Sequence, residues 1–167
     1  VTDKKPDNYG IFHGTTTEAG KKEAKGRGAG LYLTFSTKDN ESITIKAGLS
    51  YTSIENARLN LETEAKELGF DEARKLAHDN WNSYLGRIRV EGKVHEDKVK
   101  FYTGLYHAIL GRGLASDVNG AYPRHDGTNG IIPAGADGKP EFSFYNTDGI
   151  WGGQWNLIQL WALAYPE

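Results

Sequence analysis

Apolar and polar positions alternate across residues 30–49, whereas from Tyr51 onward apolar positions recur every three or four residues. Residues 1–27 are polar, interrupted by Gly10, Gly14, Gly20 and Gly26 and charged by the Lys-rich run at 21–25, which predicts loop with a solvated face. Residues 30–35 and 42–49 predict two strands, joined as a hairpin by the turn-forming Lys38-Asp39-Asn40. The longer period then predicts helices. Thr52 with Glu55 reads as a capping box for the first, whose stripe is Ile54, Ala57, Leu61, Ala65 and Leu68 and which Gly69 closes. Asp71 caps a second carrying Ala73, Ala77, Trp81, Tyr84 and Leu85, and the pair reads as a helical hairpin. Val99, Tyr102, Leu105, Tyr106 and Ile109 mark a third, ending at Gly111-Arg112-Gly113.

Residues 114–144 are irregular, with tight-turn signals at Asn119-Gly120, Asp126-Gly127 and Asp137-Gly138. Pro123, Pro133 and Pro140 exclude a central strand there. Beyond them, Ile150, Trp151, Trp155, Ile158, Trp161, Ala162 and Tyr165 recur as one stripe, predicting a helix from near Thr147 with Asp148 at or just after its N-cap. Strands followed by helices make this an α+β chain in which a β domain gives way to an α domain. No later element covers the apolar terminal helix, so we expect a partner surface from the remainder of a longer chain or from a second subunit.

Composition narrows the function. Twenty Lys and Arg against 22 Asp and Glu give a net charge of −2, which supplies no basic field for nucleic acid or an anionic membrane. Cysteine is absent, which removes disulfides and thiolate chemistry but leaves the compartment open. No apolar run reaches membrane-spanning length. His13, His78, His95, His107 and His125 include no pair at metal-ligand spacing. Asp117-Val118-Asn119-Gly120 begins like a calcium loop, but Tyr122 stands where that loop needs Gly, so a turn explains it better. The Gly-rich run at 26–30 precedes its strand, so it lacks the strand, loop, helix order of a phosphate-binding loop.

The four Trp and nine Tyr crowd toward the last quarter, around Asp148. Flat apolar rings beside a fixed carboxylate suit a sugar, whose CH faces stack while its hydroxyls seek acceptors. Periodicity alone favours a buried aromatic stripe over a ligand platform, and Asp148 is equally a capping acid. Asp117, Asp126, Asp137 and Asp148 are the acids of the loop-rich part, each with a turn or cap explanation, and their spacing identifies no catalytic pair.

At these residues a family resemblance enters. The segment Gly48-Leu49-Ser50-Tyr51-Thr52-Ser53-Ile54-Glu55-Asn56-Ala57-Arg58-Leu59-Asn60-Leu61-Glu62 resembles the junction segment of glycoside hydrolase family 92, the calcium-dependent exo-acting α-mannosidases. Phe101-Tyr102-Thr103-Gly104-Leu105-Tyr106-His107, Ser116-Asp117-Val118-Asn119-Gly120-Ala121-Tyr122 and Tyr145-Asn146-Thr147-Asp148 resemble later blocks in the same order. The resemblance implies the end of a β-sandwich domain over residues 1–50, a helical linker over 51–94 and the first helices of an (α/α)6 toroid over 95–167. It implies an inverting exo-α-mannosidase, with α-1,2 linkage favoured, acting on terminal mannose of α-mannosides or N-glycans. Asp148, Trp151 and Asn146 then become substrate-binding residues. Calcium is implied as cofactor, with its ligands and both catalytic carboxyls outside this segment. Other members carry Trp before that Asp and Arg three residues after it, where this chain has Thr147 and Trp151. The alternative is a non-catalytic carbohydrate-binding or assembly module, which mannose would stabilise without being hydrolysed. A polysaccharide lyase on a similar toroid would instead leave unsaturated products.

Overall fold

The computed structural model describes residues 1–110, 113–146 and 150–166. The chain divides into two units, Val1–Ala47 and Gly48–Glu167, each considered by itself.

The first unit is a three-stranded antiparallel sheet of β1 (Asn8–His13), β2 (Thr16–Ala19) and β3 (Ala29–Thr34) in the order β2-β1-β3. The sequence led to a different hairpin. β3 is present, but residues 42–49 contribute only an isolated bridge from Ile45 to Thr2, and both partners in the sheet come from the stretch expected to be loop. Two glycines, Gly10 from the stretch expected to be loop and Gly30 from the expected strand, are cross-strand seats for aromatic rings. Gly30 lies opposite Phe12 and Gly10 opposite Tyr32. A Cβ on Gly30 would fall 2.1 Å from the Phe12 ring, and one on Gly10 would fall 2.7 Å from Tyr32 Oη. The missing side chain lets each ring lie across the neighbouring strand. The expected turn still forms, with Glu41 N donating to Lys38 O at 3.1 Å and Asn40 at φ 61°.

Carboxylates clamp the polar return of this unit. Asp3 accepts from Thr44 N at 3.0 Å, Asp7 accepts from Ser36 N, and Glu41 accepts from Lys4 Nζ at 2.7 Å and Lys38 N at 2.9 Å. These bonds favour the charged form and hold all three carboxyls below their ordinary pKa values. The leading causes are the Thr44 backbone for Asp3, the Ser36 side chain for Asp7 and the Lys4 side chain for Glu41.

The second unit contains α1 (Ile54–Glu64), α2 (Phe70–Leu85), α3 (His95–Leu110), the hairpin β4 (Ala121–Pro123) and β5 (Asn129–Ile131), then α4 (Ile150–Gly153) and α5 (Leu157–Ala164). The N-cap of α1 is Ser53, whose hydroxyl accepts from Asn56 N at 3.0 Å, one residue later than the expected Thr52 box. The helix also stops early. It caps at Ala65, and Gly69 starts α2 instead of closing α1. The expected α1–α2 hairpin is replaced by packing of α2 on α3, where the Trp81 and Tyr106 rings lie 4.6 Å apart. Gly48 runs against α1, and a Cβ there would sit 2.1 Å from Ala57 O.

All three turn signals between α3 and α4 are realised: Gly120, Gly127 and Gly138 adopt φ of 84°, 82° and 76°. Pro123 sits in a two-stranded hairpin, as its missing N–H requires. The single terminal helix does not form. Asn156, at φ 104°, lies in the left-handed region and breaks it into α4 and α5, because a continuous helix cannot pass through that backbone conformation. Trp155, expected in the buried stripe, is 76% exposed.

Few side chains are covered. Leu105, Ala115, Ala121 and Ile132 are the buried apolar residues of the second unit among those described. The accessible surface is 13211 Å². Two separate globules of these sizes would expose roughly 9,700 Å² together. Leu163 (86%), Phe70 (73%) and Trp155 (76%) are among the large side chains that remain in solvent. Parts of the apolar surfaces of α2 and α5 thus lack cover among the described residues.

Two outcomes are expected. Gly48→Ala should lower stability by about 1–3 kcal/mol through its clash with Ala57 O. Gly104→Ala, inside α3 with open space around it, should instead raise stability by about 0.5–1 kcal/mol. Thermal melts followed by circular dichroism check both signs. Because the Asp3, Asp7 and Glu41 carboxyls are depressed in the folded state, their stabilisation is full above the unfolded carboxylate pKa of about 4 and is lost as pH falls through the lower folded values. Amide exchange in residues 36–45 should rise over that acid window, and the triple amide variant should abolish the rise.

Candidate functional site

A polar stripe that starts just before α1 and continues along it builds the centre of the second unit. Thr52, Asn56 and Asn60 follow one another at four-residue spacing and face the loop after α3. Asn60 and Asp117 are its buried polar residues, 9% and 5% exposed. Asp117 accepts from Ser50 Oγ at 2.9 Å, from Thr52 Oγ1, and from Asn60 Nδ2 at 2.7 Å. Asn60 Nδ2 also donates to Leu49 O at 2.8 Å, while its Oδ1 accepts from Val118 N at 3.0 Å. Nearer the surface, Asn56 Nδ2 donates to Thr52 Oγ1 at 2.8 Å and Asn119 Nδ2 donates to Asn56 Oδ1 at 3.0 Å. Each buried polar group is thus paired, the condition under which burying it is tolerable.

From Asp117 the order passes along the chain. Ala115 N and Ser116 N donate to Phe144 O at 2.8 and 3.2 Å, and Phe144 N donates back to Ser116 Oγ at 3.1 Å. Leu114 bridges Tyr145, and Asn146 N donates to Gly113 O at 2.9 Å. Tyr122 stacks on Phe144 with centroids 4.8 Å apart. The Tyr122 ring itself lies over Gly130, where a Cβ would fall 2.4 Å from it.

The expected sugar contacts fall at the end of this strap. Asn146 is exposed, with its backbone fixed to Gly113. Asp148 lies outside the described residues, as does the side chain of Trp151, whose backbone belongs to α4. The other loop acids act locally. Asp126 accepts from Thr128 Oγ1 at 2.6 Å and Thr128 N at 2.9 Å, and these bonds, the hydroxyl first, hold its carboxyl below the ordinary value. Asp137 accepts from Lys139 N at 3.0 Å. Both are turn acids, as their sequence context implied. Asp117 is the exception, since its side chain serves the interior and only its backbone closes the turn to Gly120 N. The sequence signal for this role is the Thr52, Asn56, Asn60 spacing, which runs alongside the stronger apolar stripe of α1.

The resemblance also implies calcium. Among the described residues, no three carboxylate or imidazole side chains converge. Both Asp117 oxygens are engaged by hydroxyl and amide donors, so the described residues do not fit a calcium site.

At the C-terminal side, Trp161 Nε1 donates to Ala108 O at 3.2 Å, placing α5 on α3. Tyr165 Oη donates to Tyr84 O at 3.1 Å, and the Arg87 guanidinium lies 4.8 and 5.1 Å from the Tyr84 and Tyr165 rings. Arg87 Nη1 also donates to Ala164 O at 3.1 Å, where a cation complements a helix C-terminus.

Comparison with known proteins places this arrangement. No curated protein sequence matches the chain. The inverting mannosidase BT2199 of family GH92, from Bacteroides thetaiotaomicron VPI-5482, is similar in structure with a TM-score of 0.69 at 23% identity, covering 96% of this chain and 21% of that one. The GH92 α-mannosidase BT3965 from Bacteroides thetaiotaomicron matches with a TM-score of 0.72 at 20% identity over the same shares, and with 0.69 in its complex with mannoimidazole. The chain therefore spans about a fifth of the length of these relatives. The profile of the glycosyl hydrolase family 92 catalytic domain matches residues 56–167, and the chain, a mixed α/β segment, belongs to that family.

Proposed function

We propose that this chain is part of an inverting exo-acting α-mannosidase that removes terminal mannose, with α-1,2 linkage favoured, from α-mannosides or N-glycans. The observation that carries the reading is the family 92 catalytic-domain match over residues 56–167. The mannoimidazole complex of a structural relative supports mannosides as the substrate class. In this reading residues 1–50 close a β-sandwich, 51–94 link it to the next domain, and 95–167 supply the first helices of an (α/α)6 toroid.

An inverting glycosidase needs an acid to protonate the leaving oxygen and a base to activate water on the opposite face, roughly 6.5–9.5 Å apart. The family resemblance implies that both catalytic groups come from elsewhere in a longer enzyme, while here Asp117 is enclosed and Asp126 and Asp137 serve turns. So do the calcium ligands, whose ion would help hold and distort the sugar. This segment contributes binding. The Asp148 carboxylate accepts from hydroxyls of the terminal mannose, the Trp151 indole stacks on a CH face, and the Asn146 amide adds a donor and an acceptor. Thr147 and Trp151, which replace the more usual Trp and Arg, give the pocket a lining of its own.

In the complete enzyme, Asp148→Asn should lower kcat/KM on α-1,2-mannobiose about 100-fold, because loss of one positioning contact misplaces the glycosidic bond. NMR of the wild-type reaction should show β-mannose as the first product, and α-mannose appearing first would refute inversion. The 167-residue chain alone should release no mannose from an α-mannoside. Hydrolysis by that chain would place the reactive carboxyls within it.

A further inference from the structure

The network around Asp117 extends from the carboxylate to the neighbouring chain segments. A buried carboxylate with three side-chain donors is fixed in position, and its chain neighbours 113–116 are bonded rung by rung to residues 144–146. Backbone hydrogen bonds of 2.8 to 3.2 Å leave this strap little freedom to tilt. Its far end is Asn146, two residues before Asp148. At the near end, Asn60 donates to Asp117 and accepts from Val118, so α1 sets where the strap begins.

We propose that Asp117, held by Asn60, Ser50 and Thr52, is a positioning residue for the mannose contact. It touches no substrate; it fixes the strap that ends at Asn146, two residues before Asp148 in the chain. The inference rests on the mannosidase reading above. A displacement of about 1 Å in a positioning group can cost about 100-fold in rate, so a small shift of this anchor is enough to be felt at the sugar. A purely structural Asp117 would alter stability without acting through Asp148.

The test is a double-mutant cycle in the complete enzyme, with kcat and KM measured on α-1,2-mannobiose and amide exchange measured at residues 113–116 and 144–146. Asp117→Asn should lower kcat/KM about 10- to 100-fold and raise exchange at 144–146. In an Asp148→Asn background the same change should cost less than about 3-fold, because the contact it positions is already gone. Thr52→Ser, which keeps the hydroxyl, should retain wild-type kinetics. Should Asp117→Asn fail to fold, Ser116→Ala removes the hydroxyl that accepts from Phe144 N and enters the same cycle. Effects that multiply in the double variant, or unchanged exchange at 144–146, overturn the positioning role while leaving the mannosidase reading intact. A fully active Asp148→Asn enzyme overturns the mannose contact itself, and with it anything said to position that contact.

Discussion

The second unit depends on one buried meeting of two side chains, Asn60 and Asp117, which lie 57 positions apart in the chain. Apolar packing alone would not define this unit, because among the described residues its buried apolar side chains are Leu105, Ala115, Ala121 and Ile132, small or medium in size. A carboxylate in the interior is costly unless its lone pairs are met, and here two hydroxyls and an amide meet them. That requirement is directional, unlike hydrophobic contact. It specifies which turn of α1 faces the loop after α3, and so specifies the path of everything that follows the loop.

From this point the order propagates by short-range rules. The turn at Gly120 returns the chain to Ile132, whose N donates to Gly120 O at 2.9 Å. The β4–β5 hairpin places Tyr122 over Gly130 and against Phe144. The ring stack and the backbone rungs act on the same residue, Phe144, so the aromatic and polar contacts hold the strap to Asn146 together. This joins α1, through Asp117 and the loop after α3, to Asn146 by a continuous series of hydrogen bonds.

Much of this was legible in the residues. Turns at Gly120, Gly127 and Gly138 form where Asn-Gly and Asp-Gly pairs stand, because the left-handed backbone they need is local and nearly free for glycine. The spans of α2 and α3 followed from apolar periodicity, which is also local. Recognition of family 92 rested on ordered blocks, and two of those blocks, 48–62 and 116–122, prove to be the two sides of the Asp117 network. Of the three candidate sugar contacts, Asn146 is described at the end of the strap, and Asp148 and the Trp151 side chain lie outside the described residues.

The sequence by itself determined what depends on neighbours within a few positions: helix and turn tendencies, the absence of thiol chemistry, and the motif blocks. Only the tertiary structure decided strand partners, the break at Asn156 and the role of Asp117. Glycines 10 and 30 mark loop or strand equally well until an aromatic ring lies opposite them. A buried Asp and a turn Asp look the same in sequence. What separates them is whether distant donors converge on the carboxylate, and that is fixed only when Ser50, Thr52 and Asn60 are brought to it.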